Sequence, residues 1–160
     1  MNNYIIDTTY KKRLADTTTP VSIYLRLRDV FPNTILLESS DYHSRSNSVS
    51  YVCAEPVAGI LLQDGLLSTY FPDGRKEEKN DFVLTDEIES FKAEFKPGVV
   101  EDTRYISNGL FGYFTWNAVQ HFEDIKFSSV APKDQEIPLM QYHIYRYIIA
   151  IDHFKNEITL

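Results

Sequence analysis

The sequence predicts an α+β chain, a mostly antiparallel sheet with a few flanking helices. Three observations predict it. Short runs rich in Tyr, Ile, Val and Phe recur along the chain, separated by turn residues. Two windows, at residues 19–30 and 85–95, instead carry apolar residues at helical spacing. Eleven Tyr and ten Phe stand against six Gly in 160 residues, a composition that leans towards strand. Strands mixed with a few helices make an α+β domain, and this length suits one domain of roughly 100–200 residues.

Taken in order, Tyr4-Ile5-Ile6 opens a strand. Thr19-Pro20 starts a helix, with Thr as cap and Pro at the first helical position. Val21, Ile23, Tyr24, Leu27 and Val30 fall near one face of it, and Pro32-Asn33 stops it. Thr34 to Leu37 reads as a buried strand, and residues 40–48 as a polar loop. Val49 to Cys53 is strand, interrupted at Pro56 and Gly59 and resumed at Ile60-Leu61-Leu62. Asp64-Gly65 predicts a hairpin leading into Leu66–Phe71. Pro72-Asp73-Gly74 and the charged run after it form a solvated turn. Thr85-Asp86-Glu87 caps a second helix through about Phe95, which Pro97-Gly98 ends; its acidic first turn suits the helix dipole.

Residues 109–116 form an aromatic strand and Asn117–Phe122 a short helix. A polar loop covers 128–138, Tyr145–Asp152 is a long strand, and Lys155-Asn156 turns the chain into another. Ending inside that strand at Leu160, the chain is expected to be a fragment of a longer protein.

The net charge of -7 and pI near 5.0 disfavour nucleic acid, since an acidic surface repels phosphate backbones. Cys53 is the only cysteine, which excludes an internal disulfide and a cysteine-based zinc site; its strand setting predicts a small core residue. The start shows no signal peptide and no apolar run approaches ~20 residues, so a cytoplasmic chain without membrane contact is expected.

No nucleophile elbow, phosphate loop or paired metal-binding histidines occur. His143 and His153 flank the long strand and read as half-exposed strand residues. The glycines of Gly109-Leu110-Phe111-Gly112 are expected to let backbones pack closely rather than to cradle phosphate. Leu36-Leu37-Glu38-Ser39 places a carboxylate and a hydroxyl at the open end of a strand. They are either a turn into the polar loop or part of a pocket in which Glu38 meets an ammonium group and Ser39 a carboxylate or backbone group.

Several segments, in order, resemble the large subunit (component I) of anthranilate synthase, one of the chorismate-utilising enzymes. Thr19-Pro20-Val21 resembles the family's threonine-proline-valine helix, and Leu36-Leu37-Glu38-Ser39 its Leu-Leu-Glu-Ser signature. Val49-Ser50-Tyr51-Val52 stands where the family has a Tyr-Ser-Phe-Ile strand. Asn108–Phe114 resembles its Gly-Gly-Leu-x-Gly-Tyr-Phe strand, and Asn117–Glu123 the continuation. Ile151-Asp152-His153-Phe154-Lys155-Asn156 resembles its Phe-Asp-His-x-Lys-Asn turn.

The resemblance implies that residues 1–160 are the N-terminal, regulatory region of a two-sheet sandwich whose C-terminal chorismate-binding catalytic region is absent. The complete enzyme would convert chorismate and glutamine or ammonia to anthranilate and pyruvate in tryptophan biosynthesis. Mg²⁺ and a glutamine amidotransferase subunit would assist it, while this part would hold no cofactor. Tryptophan, the feedback effector, would meet Glu38 and Ser39, with Val49 and Ser50 as further contacts; Val49, where some members have lysine, offers apolar packing alone. Aminodeoxychorismate synthase component I and a free-standing effector-binding module remain alternatives, though the Ser40–Arg45 loop resembles the anthranilate branch more. Without its catalytic part the chain is expected to form a homo-oligomer through apolar side chains such as Phe111, Tyr113, Tyr147 and Ile149, and through the edge at Ile158 and Leu160.

Overall fold

The computed structural model describes residues 4–38, 48–100, 105–125 and 137–160. In chain order they form β1 (Tyr4–Thr8), β2 (Lys12–Leu14), α1 (Pro20–Leu27), β3 (Ile35–Leu37), β4 (Val49–Gln63), β5 (Leu66–Tyr70) and β6 (Lys76–Lys79). Then follow α2 (Leu84–Ala93), β7 (Phe95–Val100), β8 (Phe111–Phe114), a 3₁₀ helix (Trp116–His121), β9 (Met140–Asp152) and β10 (Glu157–Thr159). The fold is α+β, and the pairs β2–β10, β10–β9, β3–β4, β4–β5, β5–β6 and β8–β9 are all antiparallel. The main sheet runs β2-β10-β9-β4-β5-β6, with β3 also on β4 and β8 also on β9, and β1 pairs with β7 in a second sheet.

The chain divides into two compact units. The first takes Met1–Ile5, Val57–Lys96 and Leu110–His143. Its core contains Ile60, Leu62, Leu67, Leu84, Phe91 and Met140, all nearly inaccessible to solvent. The Asp64-Gly65 hairpin forms as expected, both residues at positive φ (52° and 79°), the conformation a tight two-residue turn needs to match strand twist. Gly112 faces Tyr142 across the β8–β9 pair, and a Cβ there would collide with the Gln141 backbone carbonyl. Close approach is therefore what this glycine serves, whereas Gly109, expected to do the same, has open space around it and is favoured by its φ of 142° instead.

The second unit takes Ile6–Pro56, Pro97–Gly109 and Ile144–Leu160. Ala15, Val52 and Ile151 form its buried centre, with Ile23, Tyr24 and Leu27 of α1 packed on it. Helix α1 begins where the sequence places it. Thr19 Oγ1 accepts from the Ser22 amide at 3.1 Å while Ser22 Oγ accepts from the Thr19 amide at 3.2 Å, so two of the helix's unsatisfied donors are met. Cys53 is fully buried in β4, as expected.

Several elements differ from expectation. β4 runs unbroken through Glu55 and Pro56, the strain absorbed by Glu55 at φ 59°. The charged run after Gly74 is a strand, β6, because β5 offers it an edge to pair with while its side chains stay in solvent. Helix α2 starts at Leu84 after Val83 with no side-chain cap, so Thr85 lies inside it; it ends at Ala93, and Phe95 opens β7 instead. Pro97-Gly98 sits within β7, a strand whose one partner is β1, where a missing N–H is tolerated. β3 is only partly buried. Of the side chains expected to be uncovered, Phe111 is buried because it enters the β8–β9 ladder opposite His143. Tyr113, Ile149 and Ile158 are partly buried, while Tyr147 and Leu160 are exposed. The loop at 40–47 and most of the loop at 128–138 lie outside the described residues.

Candidate functional site

The β3–β4 register sets Leu37 opposite Tyr51. Glu38, which follows Leu37, and Ser50, which precedes Tyr51, therefore leave the same end of one strand pair. Glu38 is exposed, Val49 half-buried and Ser50 buried. Ser39 lies outside the described residues. The sequence spacing thus brings three of the four expected contacts to one strand end. Their exposures differ: a carboxylate open to solvent, a half-buried apolar side chain and a buried hydroxyl.

His153 completes this end. Its Nε2 stands 2.7 Å from Ser50 Oγ, and its backbone N–H donates to the Ser48 carbonyl at 3.1 Å. The β9–β10 turn holds it there. Asp152, at the end of β9, is buried, and its Oδ1 accepts from the amides of Phe154 and Lys155 at 3.0 and 2.9 Å. Its Oδ2 accepts from the Tyr105 hydroxyl at 3.0 Å. Asn156 adopts φ 51°, which closes the turn. The Asp-His-x-Lys-Asn pattern is therefore a built turn that carries a histidine to the Ser50 hydroxyl. The signal was present in the sequence, but a turn motif does not say which strand its side chains will meet.

His143 corrects the expectation of a half-exposed strand residue. It lies inside β9 and is 2% exposed. Its Nδ1 stands 2.9 Å from the Tyr70 hydroxyl, and the Gln141 amide lies 2.8 Å from Nε2. An amide NH₂ donates, so Nε2 accepts and the ring proton sits on Nδ1. Burial lowers the His143 pKa to about 4 and raises that of Tyr70 to about 12, so both are neutral near pH 7. Burial likewise pushes the Cys53 thiol up to about 12, which makes it a packing residue rather than a nucleophile.

Among the described residues no three His, Cys, Asp or Glu side chains group as a metal site, and no helix is long and apolar enough to cross a membrane. The strand end presents an exposed carboxylate, Glu38, and the Ser50–His153 pair.

No family model matches the chain. It is 28% identical over 153 residues to anthranilate synthase component 1 of Mycolicibacterium smegmatis, a match that covers 94% of this chain and 28% of that protein. It is 32% identical over 110 residues to the protein of the same name from Neisseria meningitidis serogroup B, covering 69% of this chain and 22% of that one. Among solved structures, anthranilate synthase component I from Streptococcus pneumoniae matches 92% of this chain and 30% of its own, at 20% identity and a TM-score of 0.44. The chain thus spans under a third of the length of these relatives. It is a sequence relative of anthranilate synthase component I.

Proposed function

We propose that the chain is the N-terminal, regulatory part of an anthranilate synthase component I and carries half of a tryptophan site. The convergence of Glu38 with Val49 and Ser50 at one end of the β3–β4 pair supports this reading, since these segments carry the resemblance independently of one another. Glu38 accepts from the effector's ammonium group, and Val49 packs against its apolar body. Ser50, held by His153, forms the floor. The other walls, the chorismate site and the Mg²⁺ ligands belong to the catalytic part that the family places after this one. Joined to that part and to an amidotransferase subunit, the enzyme makes anthranilate and pyruvate from chorismate.

In the complete enzyme, Glu38→Ala or Ser39→Ala weakens tryptophan inhibition about ten- to a hundredfold, the value of a charge-assisted hydrogen bond of ~1.5–3 kcal/mol. Turnover without tryptophan stays near wild type. Inhibition curves that superimpose on wild type for both variants would remove Glu38 and Ser39 from the site. The 160-residue chain by itself, given chorismate, Mg²⁺ and ammonium, produces no anthranilate fluorescence above background. Turnover that tracks point mutations in this chain would overturn the assignment of the chemistry to a separate catalytic part.

A further inference from the structure

In the second unit, α1 covers one face of the sheet formed by β9 and β10, and the opposite face carries a cavity of about 420 Å³. Arg146, Ile148 and Ala150 alternate along β9 and line its floor, joined by Thr159, which pairs with Ala150 across the β10–β9 ladder and so shares its face. One wall is the segment 8–11, tied to the sheet by reciprocal backbone hydrogen bonds between Lys11 and Leu160 at 2.8 and 2.9 Å. The facing wall is the segment 105–107. It is pinned twice: the buried Tyr105 hydroxyl donates to Asp152, and the Ile106 amide donates to the Tyr51 hydroxyl at 3.3 Å. The walls are therefore set before any ligand arrives, and the volume is at the small end of the ~300–1,000 Å³ usual for small-molecule sites.

The lining has a definite chemistry. Ile148 and Ala150 of the floor and Tyr105 and Ile106 of the wall supply its apolar surface. At the rim stands Lys11, exposed and without an ion pair among the described residues. Arg146 has one guanidinium nitrogen on Glu55 at 2.6 Å, which leaves further N–H groups of its fork to donate. Thr159 is 6% exposed and closes the floor by packing.

We propose that this cavity is a binding site for a small carboxylate with an apolar body. The carboxylate lies at the rim between Lys11 and Arg146, and the apolar body lies over Ile148 and Ala150. The site is separate in its residues from Glu38, Val49 and Ser50, so it stands or falls independently of the tryptophan reading.

The test is an amide-resolved NMR titration of the 160-residue chain with phenylacetate and, as the uncharged control, phenylacetamide. Phenylacetate is expected to shift the Lys11, Ile106, Ser107 and Ile148 amides saturably below about 10 mM, with phenylacetamide at least about tenfold weaker. Lys11→Met, a change at an exposed position, weakens phenylacetate about tenfold and leaves phenylacetamide unchanged. Glu38→Ala has no effect on either titration. No saturable shift, equal binding of acid and amide, or a Lys11→Met variant with wild-type affinity would each overturn the proposal.

Discussion

His143 and His153 both meet a hydroxyl within hydrogen-bonding distance, at 2.9 and 2.7 Å, yet they do opposite work. The pair in the first unit is the more enclosed: His143 is buried and bonded to Tyr70 and Gln141, both half-buried, and burial holds the imidazole neutral. The pair in the second unit has one member under cover and one in solvent, since Ser50 is buried and His153 is exposed. A buried polar pair with all its bonds made specifies packing and has nothing left to offer a ligand. A half-open pair keeps donor and acceptor capacity for a molecule from outside. Residue type and pairing are alike in the two places, and exposure separates them.

Adding one methyl group against the enclosed pair should have the largest effect. A Cβ at Gly59 would collide with His143 Nδ1 and with the Tyr70 ring. Gly59→Ala is expected to cost about 3 kcal/mol or more, the upper range for overpacking, read as a shift in the urea midpoint. A midpoint within error of wild type would mean that the pair is looser than its geometry indicates.

Acid comes next. His143 has a pKa of about 4 in the folded chain, and an ordinary imidazole in the unfolded chain titrates near 6.5. As pH falls through that interval the unfolded state takes up a proton that the folded state refuses. Stability is therefore complete above about 6.5 and declines towards 4, by about 3 kcal/mol from this one group. His143→Gln abolishes this part of the pH dependence, whatever its cost at neutral pH. Parallel stability–pH curves for wild type and variant would assign the acid sensitivity elsewhere.

The open pair should respond least. Ser50→Ala removes one hydrogen bond to an exposed partner that water can satisfy, so the expected loss is about 1 kcal/mol or less. A loss of several kcal/mol on thermal melting would place Ser50 with the structural group and erase the contrast with Tyr70.

Local signals in the sequence carried a good part of this picture. Thr19-Pro20 and Asp64-Gly65 fix backbone geometry within a few residues, and both elements form where those residues stand. β6 and β7 were hidden because neither is strand-like in its own residues; each becomes a strand through the partner it finds, β5 and β1. Pro56 hid the continuity of β4 for the same reason, since the break expected from local propensity is overridden by pairing along the strand. At the candidate site, Glu38 and Ser50 were legible as positions, and the β3–β4 register brings them to one end. Their bonding was not. The contact of Ser50 with His153 joins residues far apart in sequence, and no spacing rule reports such a pair.

The pairing of β2 with β10 has a consequence for synthesis. Lys12 lies opposite Thr159, so β2 waits for its neighbour until residues 157–159 have been translated. At ordinary elongation rates of about 5–20 residues per second, that interval is roughly ten to thirty seconds. Throughout it the backbone donors and acceptors of residues 12–14 have no strand to pair with. Lys12 and Arg13 place two positive charges on that waiting edge, which discourages it from pairing with the wrong chain.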